Sequence, residues 1–182
     1  MNISEIVFEG TNLTFTREFN AVFVEFTRTL AKDSRHFIEI FYNGKPIIAK
    51  HAPWDGGFSW KKDDNGKDWL GVSCEGIGAS LWWPKKDHLS DEPELMRVTC
   101  TIPEDLIFVG NGKLEQNAVK NGRRTMSWAT SYPINNYNVT LNIGDYVNFQ
   151  DKYISSEDNS ELILDYWVMP YNLEKAKVQF EQ

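Results

Sequence analysis

The sequence is poor in the residues that build disulfide frameworks and metal centres. It has only 2 cysteines and 3 histidines in 182 residues. Cys74 and Cys100 form no C-x-x-C pair, so we expect two free thiols, with one bridge as the alternative. His36, His51 and His88 are far apart, and none has a partner at zinc-ligand spacing. The residues alone therefore indicate neither a disulfide-stapled fold nor a metal site.

Long apolar runs and basic clusters are also absent. No stretch approaches the about 18 consecutive apolar residues of a membrane helix. Residues 1–10 contain two glutamates and no apolar core of a signal peptide. The formal net charge is −7, whereas phosphate binding needs clustered lysine and arginine. We therefore expect neither nucleic acid nor a membrane as partner, and the sequence leaves the compartment open.

Complete catalytic motifs are missing as well. The sequence contains no H-E-x-x-H, no G-x-S-x-G, no phosphate-binding loop and no dinucleotide fingerprint. Ser73 and the two cysteines have no neighbouring histidine that would activate a nucleophile. The residue types alone thus predict a domain without catalytic machinery of its own.

Aromatic residues and strand-like alternation are abundant. Aromatics make up 14% of the chain, which suits pleated sheets. Val139, Leu141 and Ile143 alternate with polar residues, and Leu162–Met169 is apolar on both faces except at Asp165, which predicts a central strand. Four Asn-Gly pairs mark turns, namely those at 43–44, 65–66, 111–112 and 121–122. The pattern predicts an all-β fold, an antiparallel sandwich or curved sheet, with Asn43-Gly44 turning a hairpin.

The C-terminal segment breaks this pattern. Leu173, Ala176 and Phe180 have helical spacing, and Asn172 is a candidate N-cap. Such a short helix is marginal alone, so we expect residues 170–182 to begin a helix that continues into another domain. Residues 1–182 are then a single β domain from a larger protein.

Residues 54–93 concentrate unusual side chains. Five of the seven tryptophans lie here, and glycines beside aromatics and acids allow close backbone approach. One interpretation is a tryptophan-rich sandwich core with tight corners. The other is a ligand-facing edge, and the residue types alone favour the core.

The order of short motifs resembles a known family. Cys74-Glu75-Gly76 is followed by an aromatic-proline turn and then by Asp91-Glu92-Pro93. Together with later positions, these motifs resemble the N-terminal β domain of the gluzincin zinc aminopeptidases, which include aminopeptidase N and leukotriene hydrolase. The resemblance spans roughly Phe15 to Phe180. The later positions are Ser127-Trp128, Pro133-Ile134, Tyr137 and Asn142-Ile143-Gly144.

The resemblance implies a saddle-shaped β domain that packs on a thermolysin-like catalytic domain of the same chain. Zinc would be held in that missing domain, whose G-x-M-E-N and H-E-x-x-H motifs do not occur here. Glu75 matches the acid or glutamine that binds the free α-amino group of the peptide substrate. The sequence departs from the family at the inserted Lys85–Ser90 and at Ser80 or Leu81, where many members have arginine.

Two other functions remain open. The first is a stand-alone β-sandwich binding module for carbohydrate or a protein ligand, which predicts that Trp54, Trp60 or Trp82 is exposed and coplanar with a neighbouring ring. The second is a pure scaffold, which differs from the aminopeptidase domain only in whether Glu75 meets a ligand.

Overall fold

The computed structural model describes residues 1–74, 81–86, 88 and 90–181. Within these ranges the strands pair antiparallel in their sheets, and the one α-helix is short, so the all-β prediction is confirmed. The strands are β1 (Asn2–Phe8), β2 (Thr11–Asn12), β3 (Thr14–Glu18), β4 (Ala21–Glu25), β5 (Ile38–Asn43), β6 (Gly57–Lys62), β7 (Asp68–Ser73), β8 (Met96–Pro103), β9 (Ile107–Gly110), β10 (Lys113–Lys120), β11 (Arg123–Thr130), β12 (Leu141–Gly144), β13 (Val147–Ile154) and β14 (Glu161–Val168), and the helix is α1 (Leu173–Gln179).

The main core lies between two sheets. One has the strand order β6-β7-β12-β9, and the other has the order β10-β11-β8. Alternate residues of a strand point to opposite faces, and one face of each sheet contributes to a single buried cluster. This cluster contains Phe58, Leu70, Ile102, Leu106, Phe108, Met126, Trp128 and Leu141. The arrangement is the expected sandwich.

A second, smaller core lies near the N-terminus. It is formed by the sheet β2-β1-β5 and the hairpin β3-β4. Ile6, Phe8 and Leu13 are buried there, and Val22 and Val24 pack against them. Along β4, half-buried valines thus alternate with exposed residues.

Two of the four Asn-Gly pairs connect the strands of a hairpin. Asn121 and Gly122 both have positive φ angles, 53° and 73°, and join β10 directly to β11. Asn65-Gly66 lies in the connection between the paired strands β6 and β7. There Asp63 Oδ1 accepts hydrogen bonds from the amides of Asn65 and Lys67 at 2.9 and 2.8 Å, which closes a longer turn than the two-residue type.

The predicted hairpin at Asn43-Gly44 is wrong. β5 pairs with β1 instead, and the residues after Gly44 run beside β6. Ile47 O accepts from Phe58 N at 2.7 Å, and Ala49 N donates to Phe58 O at 3.0 Å. Residues 44–47 form neither a turn nor a strand, so this Asn-Gly pair does not close a hairpin.

The prediction of a central strand at Leu162–Met169 is also wrong. β14 covers most of this run, but it pairs with β13 in a two-stranded sheet, and Leu162 and Ile163 are exposed. Only its second half is covered, where the Trp167 ring meets Trp128 edge-on at 5.8 Å. Apolar composition on both faces predicted burial, but it could not show where the covering elements end.

The C-terminal helix forms, but Asn172 does not cap it as expected. Its side chain makes no capping hydrogen bond. The chain enters α1 through a 3-10 turn, Pro170–Asn172, in which Asn172 N donates to Met169 O at 2.9 Å. Ala176 is buried, and Phe180 stacks on Tyr166 with ring centroids 5.0 Å apart. Among the described residues, no helix is long and apolar enough to span a membrane.

Candidate functional site

Glu75, the candidate amine-binding residue, lies outside the described residues, as do Ser80, Asp87 and Leu89. The residue before it, Cys74, is described. It follows the last residue of β7 and is buried. The described structure therefore reaches the residue immediately before Glu75.

The register of the four-stranded sheet brings several chain segments to the end of β7. Gly57, the first residue of β6, pairs with Ser73. Asn142 of β12 pairs with Gly71, and the preceding Leu141 pairs with Gly110, the last residue of β9. We refer to the region at this end of the sheet, which includes Cys74, Asn111, Asn136 and Val139, as the β7-end surface.

A 3-10 helix at Asn136–Asn138 organises this surface. The Cys74 thiol lies 3.7 Å from Val139 O, the residue after the helix, and burial raises the pKa of the thiol. Asn136 Nδ2 donates to Lys86 O at 3.4 Å. The same short helix therefore contacts the chain immediately before Glu75 and again at Lys86.

Asn136 is the most buried polar side chain of the β7-end surface, with 3% of the residue exposed. Its Oδ1 has no hydrogen-bond partner among the described residues. A buried acceptor without a partner costs about 1–3 kcal/mol. Asn136 Oδ1 is thus an available hydrogen-bond acceptor next to Lys86, which follows the segment that contains Glu75.

Asn111 and Trp82 connect the β7-end surface to the neighbouring segments. The Asn111 side chain bridges the helix and β12, because Nδ2 donates to Asn138 O at 3.0 Å and Oδ1 accepts from Thr140 N at 2.7 Å. On the other side, the Trp82 ring meets Phe58 of the main core edge-on at 6.4 Å. The chain that returns from the undescribed segment is therefore anchored in the sandwich core.

The three candidate stacking tryptophans differ in their surroundings. Trp60 is 59% exposed and lies over Phe58 at 6.2 Å with an interplanar angle of 26°. Trp54 is 80% exposed without a ring partner in the described part of the chain. Trp82 is partly buried and edge-on to its neighbours. Trp60 alone of the three combines exposure with a near-parallel neighbour.

The histidines lie at separate places, and among the described residues no three His, Cys, Asp or Glu side chains come together to hold a metal ion. His36 lies in the N-terminal part, with Nδ1 2.8 Å from Glu9 Oε1 and Nε2 2.7 Å from Ser34 Oγ. These are the residue types of a catalytic triad. However, Ser34 Oγ also lies 2.5 Å from Ala31 O, so we assign its single hydrogen to that carbonyl, and the trio ties a loop to β1.

The Lys85–Ser90 insertion is described in part. Lys86 Nζ lies 3.5 Å from Asp91 Oδ1, the first residue of the Asp91-Glu92-Pro93 motif. Asp91 N donates to His88 O at 3.1 Å. The insertion thus contacts the motif that follows it, and its Lys86 also contacts Asn136.

A cleft of about 430 Å³ lies at the opposite end of β7 from Cys74. It runs along α1 and is lined by Trp69, Tyr146 and Trp167, among others. Trp69 Nε1 donates to Tyr146 OH at 2.8 Å. Because Trp69 is the second residue of β7 and Cys74 follows the last, this cleft is separate from the β7-end surface.

Sequence reasoning did not identify Asn136 or Asn111 as parts of the site. Both are asparagines in turns, and such residues usually serve the backbone around them. The dense run Asn135-Asn136-Tyr137-Asn138 was the available signal, since three amide side chains within four residues exceed what one turn needs. Only the pairing register of β12 with β7 and β9 shows that this run lies beside Cys74.

Comparison with solved structures finds the same fold in M1 zinc metallopeptidases. A variant of a two-domain M1 zinc metallopeptidase bound to L-arginine superposes with a TM-score of 0.75 and 17% identity. A variant from Deinococcus radiodurans bound to a Tyr-Ser-Ala substrate gives 0.76 and 18%. A third, bound to L-tryptophan, gives 0.75 and 17%. Each match covers 93% of this chain.

This chain spans 38% of the length of those metallopeptidases. At such identities the likeness is one of fold, and it agrees with the resemblance found in the motif order. No family model matches the sequence, and no curated protein matches it.

Proposed function

We propose that this chain is the N-terminal β domain of a zinc-dependent aminopeptidase and forms one wall of its peptide-binding cleft. The observation that carries the proposal is the fold match to M1 zinc metallopeptidases over 93% of this chain and 38% of theirs. Its supporting observation is the independent motif order from Cys74-Glu75-Gly76 to Asn142-Ile143-Gly144. Residues 170–182 would begin the helix that links it to the catalytic domain.

The described residues of this chain do not fit a zinc ion, because they contain no group of three metal-ligand side chains. The proposal therefore assigns zinc to the catalytic domain of the same polypeptide. That domain would supply the metal, the general base and the remainder of the cleft. This chain would supply one wall of the cleft and the carboxylate of Glu75.

In this proposal, Glu75 binds the free α-amino group of the peptide. A carboxylate and an ammonium group form charge-assisted hydrogen bonds, which are stronger than neutral ones. An exopeptidase needs such a contact, since recognition of the N-terminus sets which peptide bond reaches the metal. Support comes from the anchoring of Cys74 next to Val139, which fixes the chain one residue before Glu75.

The test is the substitution of Glu75 in the complete polypeptide in which this chain occurs. We expect Glu75→Ala and Glu75→Gln to lower kcat/KM for substrates with a free N-terminus by about 10- to 100-fold, from the loss of about 1.5–3 kcal/mol in a charged hydrogen bond. The bound zinc should remain unchanged. Glu94→Gln, which alters another exposed acid, should leave the kinetics unaltered. Unchanged kinetics in Glu75→Ala would leave only a scaffolding role.

A second candidate function is carbohydrate binding, which the exposed and nearly stacked Trp60 favours. Flat exposed aromatic faces stack on sugar rings. In that case the 182-residue chain would change its tryptophan fluorescence with a member of a glycan panel, and Trp60→Ala would abolish the change. No response across the panel would reject this candidate.

A further inference from the structure

The four Asn-Gly pairs of the sequence combine two groups that can react with each other. The backbone nitrogen that follows an asparagine can attack the side-chain amide carbon, and a glycine leaves that nitrogen most accessible because it has no Cβ atom. Asparagine is therefore among the thermally labile residues of proteins. The reaction needs a side-chain amide and a glycine nitrogen that are not held by hydrogen bonds, and a backbone that can rotate between them. The four pairs differ in these respects.

Asn111-Gly112 is protected by its side-chain contacts. Asn111 Nδ2 donates to Asn138 O at 3.0 Å, and Oδ1 accepts from Thr140 N at 2.7 Å. The glycine has no room to move, because even a Cβ atom there would overlap the carbonyl oxygen of Ala129. The Asn111 amide therefore cannot turn towards the backbone nitrogen of Gly112 without breaking both hydrogen bonds.

Asn65-Gly66 and Asn121-Gly122 are protected through the backbone. Gly66 N donates to Asp63 O at 2.9 Å, so the nitrogen that would attack is already held. Asn121-Gly122 forms the whole connection between β10 and β11, and the flanking Lys120 and Arg123 pair with each other. Rotation within that connection must disrupt the hairpin. Reaction at either pair therefore requires a local opening of the structure.

Asn43-Gly44 has none of these restraints. Asn43 is exposed, and neither its side-chain amide nor Gly44 N is hydrogen-bonded to any residue that the structure describes. Asn43 and Asn2 form the last pair of the β1–β5 ladder, and the ends of such ladders open most easily. Residues 44–47 form neither a turn nor a strand. The backbone of this pair can therefore rotate while the rest of the fold stays intact.

We propose that Asn43 is a site of spontaneous deamidation in the folded protein, whereas the fold protects the other three Asn-Gly pairs. Gly44 N loses its proton to water and attacks Asn43 Cγ, which forms a five-membered succinimide. The bond from Cγ to Nδ2 breaks, and Nδ2 takes a proton from water and leaves as ammonia. One water molecule then opens the ring at either of its two carbonyl groups, which gives aspartate or isoaspartate. The sum consumes one water molecule, releases one ammonia molecule and changes no oxidation state.

The modification alters the end of β5. Both products add one negative charge to a chain whose formal net charge is −7. Isoaspartate also inserts a methylene group into the main chain, so Asn43 can no longer pair with Asn2 in the present register. The change falls in the sheet β2-β1-β5 and leaves the main core between the other two sheets untouched. This chemistry is independent of the proposed peptidase function.

The experiment incubates the complete polypeptide at mildly alkaline pH, folded in one sample and unfolded in urea in the other. Peptide mass spectrometry measures the rate of deamidation at each Asn-Gly pair, and the ratio of the unfolded to the folded rate is the protection that the fold gives. We expect less than about threefold protection at Asn43. We expect more than about thirtyfold at Asn111, where two hydrogen bonds hold the amide, and at least about fivefold at Asn65 and Asn121.

Asn43→Gln is the matched control, because its longer side chain would have to close a six-membered ring. It should remove the modification at position 43 and leave the rates at the other three pairs unchanged. Separation of the modified peptides should show both aspartate and isoaspartate at position 43. Protection at Asn43 as strong as at Asn111 would overturn the proposal, and so would a product that contains aspartate alone, which would mean direct hydrolysis without attack by Gly44 N.

Discussion

Gly112 occupies a position where the sandwich admits no side chain. It lies between β9 of one sheet and β10 of the other, with φ at +85°. A Cβ atom there would overlap the carbonyl oxygen of Ala129, which pairs with Lys113 across the β10–β11 ladder. The requirement is therefore steric as well as conformational, and it acts on the connection between the two halves of the main core.

We predict that Gly112→Ala lowers the free energy of unfolding by more than about 3 kcal/mol, since β11 must move to relieve the overlap. Gly66→Ala is the matched control, because Gly66 has a similar φ of +78° but open space around a Cβ atom. It should cost about 1–2 kcal/mol. Urea denaturation of both variants measures the difference, and equal losses would refute the steric argument.

The Asn-Gly pairs show how far single residues carry a prediction. At Asn121-Gly122 both residues adopt the positive φ angles that a tight hairpin turn needs. Asn111-Gly112 has the same residues but links two different sheets. At Asn43-Gly44 the structure assigns no turn at all. The Asn-Gly pair alone therefore fixes neither the turn nor the partner strand, which depend on packing over longer distances.

At the scale of elements, the 3-10 helix Asn136–Asn138 acts as a clamp on the segment between Cys74 and Lys86. One end of the segment is held near Val139 O and the other by the amide of Asn136. The clamp is in turn fastened to β9 through Asn111. A short element of little intrinsic stability is thus stabilised by its side-chain contacts.

This arrangement predicts the proteolytic behaviour of the Lys85-Lys86 pair. Trypsin cleaves after Lys86, whose carbonyl accepts from Asn136. We expect Asn136→Ala to accelerate this cleavage about fivefold, as a net hydrogen-bond loss of about 1 kcal/mol implies. Limited proteolysis followed by mass spectrometry measures the rate. Asn138→Ala removes an exposed side chain of the same helix and should leave it unchanged; the same acceleration in both variants would contradict the clamp.

The strands illustrate why element predictions succeeded in part. Alternation identified β12, because Leu141 belongs to the main core and Ile143 packs against it. It failed for β14, where both faces are apolar but the partner sheet covers only the half around Trp167. Burial of a strand depends on neighbours that the strand's own sequence does not encode.

At the scale of the whole molecule, the sandwich and the smaller N-terminal core together give the fold of an M1 zinc metallopeptidase segment. The fold class could be predicted from the sequence, because strand alternation and the order of short motifs are both visible there. The β7-end surface could not, since sheet register brings together residues near positions 74, 111 and 136 that are far apart in the sequence. The role of Glu75 stays a prediction.

The most direct test of the central claim compares the 182-residue chain with the complete polypeptide that contains it. Both are measured for bound zinc and for cleavage of an aminoacyl anilide, with and without a chelator. The account predicts stoichiometric zinc and chelator-sensitive turnover in the complete polypeptide, and neither in the 182-residue chain. Chelator-sensitive turnover by the 182-residue chain alone, or a complete polypeptide that holds no zinc, would contradict it.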